Sequence, residues 1–316
     1  MSAMKAVRIH NYGGPEVLVY EDATRPAAGP GEVLVRAAAT SVNPFDCAVR
    51  AGYMTGWYNY PLPHIPGLDV SGVVAEVGAG VEQFAAGDEV YARADPGHAG
   101  AYAEYVALST DLVARKPSSI DHAHAAGIPH VMLTAWAGLY GAADVHEGQR
   151  VLVHGAAGGV GHMAVQLAKL RGAYVVGTAS AGNRDFVLRL GADEMIDYTA
   201  TPFDNVIHDI DVVLDTIGGT TQDRSWSVLK PGGILLSTVQ SPSEETAAAH
   251  GVRQGMVFAA MPNAAALTQV AQWIDAGRFK VEVSTMLPLR DARRGHELSE
   301  TRHTRGKIVL QVQGGG

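Results

Sequence analysis

The stretch Val151-Leu-Val-His-Gly-Ala-Ala-Gly-Gly-Val-Gly161 decides the fold of this chain. Val151, Leu152 and Val153 are an apolar triplet that reads as a short buried strand. Gly155, Gly158, Gly159 and Gly161 follow, with Ala157 and Val160 between them, and make a turn whose bare backbone can approach a pyrophosphate. From His162 to Arg171 the chain reads as a helix, because Met163, Val165, Leu167, Ala168 and Leu170 supply apolar faces. Backbone N–H groups and the positive end of that helix suit phosphate. The spacing departs from G-x-G-x-x-G, since Gly155, Gly158 and Gly161 recur every third residue. Glycines alone are equally at home in a structural strand–helix turn. The strand before and the helix after are what favour a dinucleotide.

The next strand, read as Ala173–Thr178, ends where such a unit meets the adenosine ribose. An acid there binds the 2′-hydroxyl of NAD, but this chain runs Thr178-Ala-Ser-Ala-Gly-Asn-Arg184 with no acid before Asp185. Ser180 can hydrogen-bond a 2′-phosphate and Arg184 can supply its cation. The cofactor expected is NADPH. As an alternative, Arg184 is a solvated charge in the first turn of the following helix.

Working outward, the first hundred or so residues are short β-like runs punctuated by glycine and proline. The clearest are Lys5–Ile9, Val33–Ala38, Val70–Val77, Glu89–Ala92 and Tyr102–Ala107, which predict a compact β-barrel. Ala123 to Val145 reads as a buried helix following a loop, since Pro129, two histidines and several glycines interrupt it. After Val151, strands expected at Ala173–Thr178, Met195–Asp197, Val212–Asp215, Ile234–Ser237 and Met256–Ala259 alternate with helices, the pattern of a parallel sheet with right-handed crossovers. Arg278–Val283 and Lys307–Val312 read as strands that return to the first domain.

With 316 residues and 47% hydrophobic content the chain suits two domains with substantial cores. A net charge of −8 argues against broad binding to nucleic acid or to an anionic membrane. The one cysteine, Cys47, excludes intrachain disulfides and any cysteine-rich zinc lobe. It fits a reducing compartment, and no long apolar segment near Met1 announces secretion, so the location expected is cytoplasmic.

Several stretches, met in order, resemble the zinc-independent quinone oxidoreductase branch of the medium-chain dehydrogenase/reductase superfamily. They are Ser41-Val-Asn-Pro-Phe-Asp46, Pro66-Gly-Leu-Asp-Val-Ser-Gly72, Val77-Gly-Ala-Gly-Val-Glu-Gln-Phe-Ala-Ala-Gly-Asp-Glu-Val90, Gly100-Ala-Tyr-Ala-Glu-Tyr-Val106, Leu133-Thr-Ala-Trp136, the Gly155–Gly161 turn and His303-Thr-Arg-Gly-Lys-Ile-Val-Leu310. The resemblance implies an α/β protein, a GroES-like β-barrel catalytic domain over residues 1–122 and 279–316 and a Rossmann doubly wound parallel-sheet domain over 123–278. It implies a homodimer, and NADPH delivering a hydride to a quinone or α,β-unsaturated carbonyl. A specialised ene reductase or dehydrogenase on a biosynthetic intermediate is one alternative. A noncatalytic NADPH-binding redox sensor is another.

Zinc-dependent members, by the same resemblance, carry a cysteine where Asn43 stands and a histidine where Leu68 stands. His130 matches a third ligand position, which leaves a partial set of His130, Asp69 and Cys47 and an expectation of no metal. The resemblance places Asn43 and Asp46 at the nicotinamide end and Tyr53 beside the substrate, where it donates a proton or covers a flat ring. Asp46 serves equally as an acid that orients backbone at a turn, and Tyr53 as an aromatic closing a loop. Trp57, Tyr58 and Tyr60 make that loop unusually aromatic. Thr134 matches a hydroxyl contact to the nicotinamide region, or bonds its own helix. Tyr198 matches a position near adenosine, Ile217 and Val239 lie beyond two strand ends that border the cofactor, and Phe258 and Arg305 match positions near the nicotinamide and the outer phosphate side.

Overall fold

Residues 2–98, 100–257 and 263–312 are described by the computed structural model of the chain. It divides into two compact units, Met1–His130 with Pro262–Gly316, and Val131–Met261. The protein is of the mixed α/β class, with a GroES-like unit and a Rossmann-like parallel-sheet unit.

In the unit Val131–Met261, short apolar runs form a six-stranded parallel sheet among the described residues. Its order is Glu194–Asp197, Tyr174–Ala179, Arg150–Val153, Ile210–Asp215, Leu229–Ser237, Arg253–Met256. Strands buried on both faces have no polar alternation, which is why Val151-Leu-Val153 and Val212-Val-Leu214 are continuous apolar runs. The helix Gly159–Leu170 follows the first of these strands, with Gly161 through Ala168 all buried. Its two buried polar side chains are satisfied locally: His162 donates from Nδ1 to Gly158 O (2.9 Å) and Gln166 donates to His162 O (2.9 Å).

The other unit carries a seven-stranded sheet among its described residues. It runs Val283–Pro288, Lys307–Gln311, Glu32–Val42, Asp69–Val77, Glu89–Arg93, Val113–Arg115, and Tyr105–Ser109 pairs with the first half of Glu32–Val42. A two-stranded sheet joins Ala3–Ile9 to Leu18–Thr24. Val35, Val70, Val74, Val90, Ala92 and Val106 fill one core, and Val42, Tyr102, Leu289, Ile308 and Leu310 fill another.

Two expected elements differ. The strand placed at Arg278–Val283 begins only at Val283, because its parallel partner starts at Lys307 opposite Val283. The Ala123–Val145 stretch is a short helix His122–Ala126, a second helix Pro129–Trp136 and a π-helical turn Ala137–Ala142. Pro129, lacking an N–H, cannot continue the first helix and instead starts the second. Part of the strand expected at Met256–Ala259 lies outside the described residues.

Candidate functional site

Gly155 has φ +66°, and a Cβ there would stand 2.6 Å from Thr216 Oγ1. At Gly161 a Cβ would sit 2.1 Å from Gly155 O and 2.8 Å from Ala156 Cα, so the helix can approach its preceding strand only without a side chain. Gly158 caps the helix with no side-chain hydrogen bond, and the first helical bond runs from His162 N–H to Gly158 O (3.0 Å). The N–H groups of Gly159, Val160 and Gly161 therefore precede the helical ladder. Bare backbone, amides and the helix dipole converge on one turn, a cradle that fits a pyrophosphate.

Buried polar groups hold this cradle in place. Ser225 donates to Thr221 O (2.7 Å), so its Oγ accepts from His154 Nε2 (3.0 Å), and Nδ1 of the same ring accepts from Thr178 Oγ1 (3.0 Å). Burial lowers the His154 pKa to about 4, so the ring is neutral. Thr216 donates to His154 O (2.8 Å). Beside it, the fully buried Asp215 accepts from the N–H groups of Ile217 and Gly218 (2.9 Å each) and from Gln222 and Ser237 (3.1 and 2.9 Å). Ser237 Oγ in turn accepts from the N–H groups of Val239 and Gln240 (3.3 Å each). One carboxylate thus fixes the loops that present Ile217 and Val239.

Ile217, Val239 and Tyr198 are exposed apolar side chains beyond the carboxyl ends of three strands. Ser180 follows Tyr174–Ala179 and accepts from Asn183 Nδ2 (3.1 Å). Arg184 spends Nη1 on Met195 O (3.2 Å). Thr134 is buried in the helix Pro129–Trp136. Arg305 is half-buried just before the strand Lys307–Gln311, and Phe258 lies outside the described residues.

Asn43 and Asp46 come together in the other unit, in a buried polar cluster. Asn43 precedes the helix Pro44–Ala51, and Asp46 Oδ2 accepts from Asn43 N–H (2.8 Å), as a capping acid does. Asn43 Nδ2 also donates to Asp69 Oδ2 (2.9 Å). The same oxygen accepts from Ser41 Oγ (2.5 Å), while Asp69 Oδ1 accepts from His130 N–H (2.7 Å). Lys307, also buried, donates to Val42 O (3.1 Å) and to Asn43 Oδ1, and its Nζ lies 3.8 Å from Asp69 Oδ2. Arg93 Nε donates to His130 Nδ1 (3.2 Å). Burial, and next the charge of Asp69, raise the Asp46 pKa to about 7. Burial, Arg93 and Lys307 together push His130 well below the usual imidazole range.

Of the partial ligand set, Asp69 and His130 already serve protein donors, Leu68 offers none, and Cys47 sits in the apolar core with Val42 and Ile308. No group of three His, Cys, Asp or Glu is placed to hold a metal among the described residues. Tyr53, by contrast, is 80% exposed and Trp57 69% exposed, on the turn after Ala51.

Comparison with known proteins decides the family. The description "Alcohol dehydrogenase GroES-like domain" matches residues 29–118, and "Zinc-binding dehydrogenase" matches 190–310. The chain is 36% identical to the NADPH-dependent alkenal/one oxidoreductase, chloroplastic, of Arabidopsis thaliana, over 97% of this chain and 79% of that protein. Among solved structures it superimposes on the quinone oxidoreductase of Coxiella burnetii with a TM-score of 0.91, 33% identity and 99% and 100% of the two chains covered. The Escherichia coli quinone oxidoreductase complexed with NADPH gives 0.86 and 27%, over 98% and 100%. The chain belongs to the zinc-independent, quinone oxidoreductase-like branch of the medium-chain dehydrogenase/reductase superfamily. It is an NAD(P)H oxidoreductase.

For this oxidoreductase the sequence reading missed Lys307, His154, Asp215 and Ser225. Lys307 carried a signal: a lysine heading the apolar run Ile308-Val-Leu310 must bury its charge and find a partner. His154 and Asp215 end buried strands next to glycine turns, where a polar side chain must likewise be bonded. Among the described residues no helix is long and apolar enough to cross a membrane.

Proposed function

We propose that this oxidoreductase takes NADPH in preference to NADH and reduces quinones or α,β-unsaturated carbonyl compounds without a catalytic metal. The observation that carries the reading is the buried cluster, in which Asp69 and His130 are committed to protein hydrogen bonds and Asn43 and Leu68 stand at the other two positions. A simple ketone, whose developing charge is localised, gains more from a Lewis acid than a conjugated acceptor does. The names of the Arabidopsis and Escherichia coli relatives agree with this acceptor class and with NADPH.

The residues assigned to the cofactor are the N–H groups of Gly159, Val160 and Gly161 for the pyrophosphate, with Gly155, Ala157 and Gly158 shaping the turn. Ser180 and Arg184 are assigned to the 2′-phosphate, since no acid precedes Asp185 there. Thr134, Tyr198, Ile217, Val239 and Arg305 complete the set. Bound nicotinamide supplies a hydride from its C4. Tyr53, whose side chain is exposed, is assigned to protonate the reduced acceptor. Asn43 and Asp46, tied into the cluster, are positioning residues.

Steady-state NADPH oxidation, followed by absorbance on chelator-dialysed protein, tests the reading with 9,10-phenanthrenequinone, 1,4-benzoquinone and 2-cyclohexenone. The expected result is turnover of at least one acceptor, with kcat/KM for NADPH roughly tenfold or more above that for NADH. Equal use of NADH sinks the 2′-phosphate assignment, and no turnover of any acceptor sinks the reductase reading.

A further inference from the structure

Within the unit Met1–His130 with Pro262–Gly316, the strand Glu89–Arg93 ends beside the start of Asp69–Val77, and their antiparallel register sets Arg93 opposite Asp69. Directly opposed residues project their side chains to the same face, so strand pairing alone brings a cation to a carboxylate. Asp69 Oδ1 also accepts from the N–H of His130 (2.7 Å), one of the amides that begin the helix Pro129–Trp136 without a helical partner. These two contacts carry Arg93 and His130 to a common point, where Arg93 Nε donates to His130 Nδ1 (3.2 Å). Arg93 is 1% exposed, and its Nη2 is enclosed with no hydrogen-bond partner among the described residues. Burying a guanidinium that is only partly bonded is costly, so its presence calls for a reason.

The direction of that bond fixes where the histidine keeps its proton. Burial lowers the Arg93 pKa while the Asp69 charge raises it, and a guanidinium so placed remains a donor with no lone pair to offer. Nδ1 therefore accepts, and the neutral His130 ring carries its proton on Nε2. A metal takes a histidine through an unprotonated ring nitrogen, while the other nitrogen donates to a carboxylate, a carbonyl or water. His130 has this arrangement reversed. Its Nδ1 lone pair is spent on Arg93, and its Nε2 holds the proton. Moving that proton to Nδ1 would set N–H against N–H at 3.2 Å. A metal ion approaching the ring also meets the positive charge of the guanidinium.

We propose that Arg93 keeps this position free of metal, by locking the His130 ring as the Nε2–H tautomer and so denying both ring nitrogens to a metal ion. Asn43 and Leu68 leave a histidine and a carboxylate in place, and Arg93 disables the histidine. The inference deepens the metal-free reading proposed above, on which it rests, and assigns the residue that enforces it.

Two readouts on full-length protein test it. Heteronuclear NMR of protein carrying labelled histidine reads the tautomer directly, with His130→Gln identifying the signal. The expected result at neutral pH is an uncharged ring with its proton on Nε2, and in Arg93→Met a proton that also populates Nδ1. A wild-type proton on Nδ1, or an unchanged tautomer in Arg93→Met, overturns the lock. The second readout is zinc binding by equilibrium dialysis. Asn43→Cys with Leu68→His is expected to bind zinc at least roughly tenfold more weakly while Arg93 is present than when Arg93→Met is added. Equal affinity in the two overturns the proposal, and where these variants fail to fold the wild-type tautomer alone decides it. The two proposals fail separately. A proton on Nδ1 in protein that still turns over after chelator dialysis removes the lock and keeps the reductase reading. An Nε2–H ring in protein that loses turnover on dialysis and regains it with zinc keeps the lock and removes the metal-free reading.

Discussion

Four charged side chains, Asp46, Asp69, Arg93 and Lys307, lie buried within one polar cluster of a single unit. Each is hydrogen-bonded to a neighbour, the condition under which buried ionisable groups are tolerated. Asp46 is the member that titrates in reach of experiment. Its pKa is raised from 3.8 to about 7, first by burial and then by Asp69. Between those two values the folded state retains a proton that the unfolded chain has released. Stability is therefore fully present below the lower value and falls as pH rises through the window, by at most about 1.4 kcal/mol per pH unit. Asp46→Asn removes that slope. Urea unfolding at pH 5 and pH 8 is expected to show the wild type losing more stability across the interval than the variant, by about 1 kcal/mol or more. Parallel losses in the two proteins would place the proton elsewhere.

Among the elements, the strand–turn–helix around Gly155–Gly161 was legible because every part of its physics is local. Strands buried on both faces read as apolar triplets, and close approach demands glycine. Gly161→Ala puts a methyl group 2.1 Å from Gly155 O, a backbone atom that cannot swing away. The expected cost is about 1–3 kcal/mol, visible in calorimetry as a melting temperature lowered by about 2 °C or more, together with weaker NADPH binding. Gly158→Ala is the contrast, since its nearest neighbour would be 3.3 Å away and its φ of −79° suits any residue, so the fold should hold. Equal melting temperatures for the two variants would mean that the helix has slack at this point. The strand Leu18–Thr24 escaped the sequence reading because its residues are all half-buried or exposed and Glu21 and Asp22 interrupt its apolar character. Strand pairing, not pattern, also set the start of Val283–Pro288.

For the chain as a whole, the division into a β-rich unit and a parallel-sheet unit was readable from the change in periodicity near residue 150. What was not readable were partnerships made by topology. Lys307 bonds Asn43 across 264 positions, and Ser225 bonds His154 across 71. Motif spacing carries no trace of either, although a lysine leading a buried strand signals that some partner exists. Other long-range partnerships, the hydrogen bonds that engage Asp69 and His130, carry the proposal that hydride goes to conjugated acceptors without a metal. Following the label tests it most directly. Metal-depleted protein is given 2-cyclohexenone and NADPH carrying deuterium at the transferable C4 position, and the product is analysed by NMR. The account predicts cyclohexanone with deuterium on the former β-carbon. Deuterated 2-cyclohexenol, or turnover that vanishes on metal removal and returns with zinc, would contradict it.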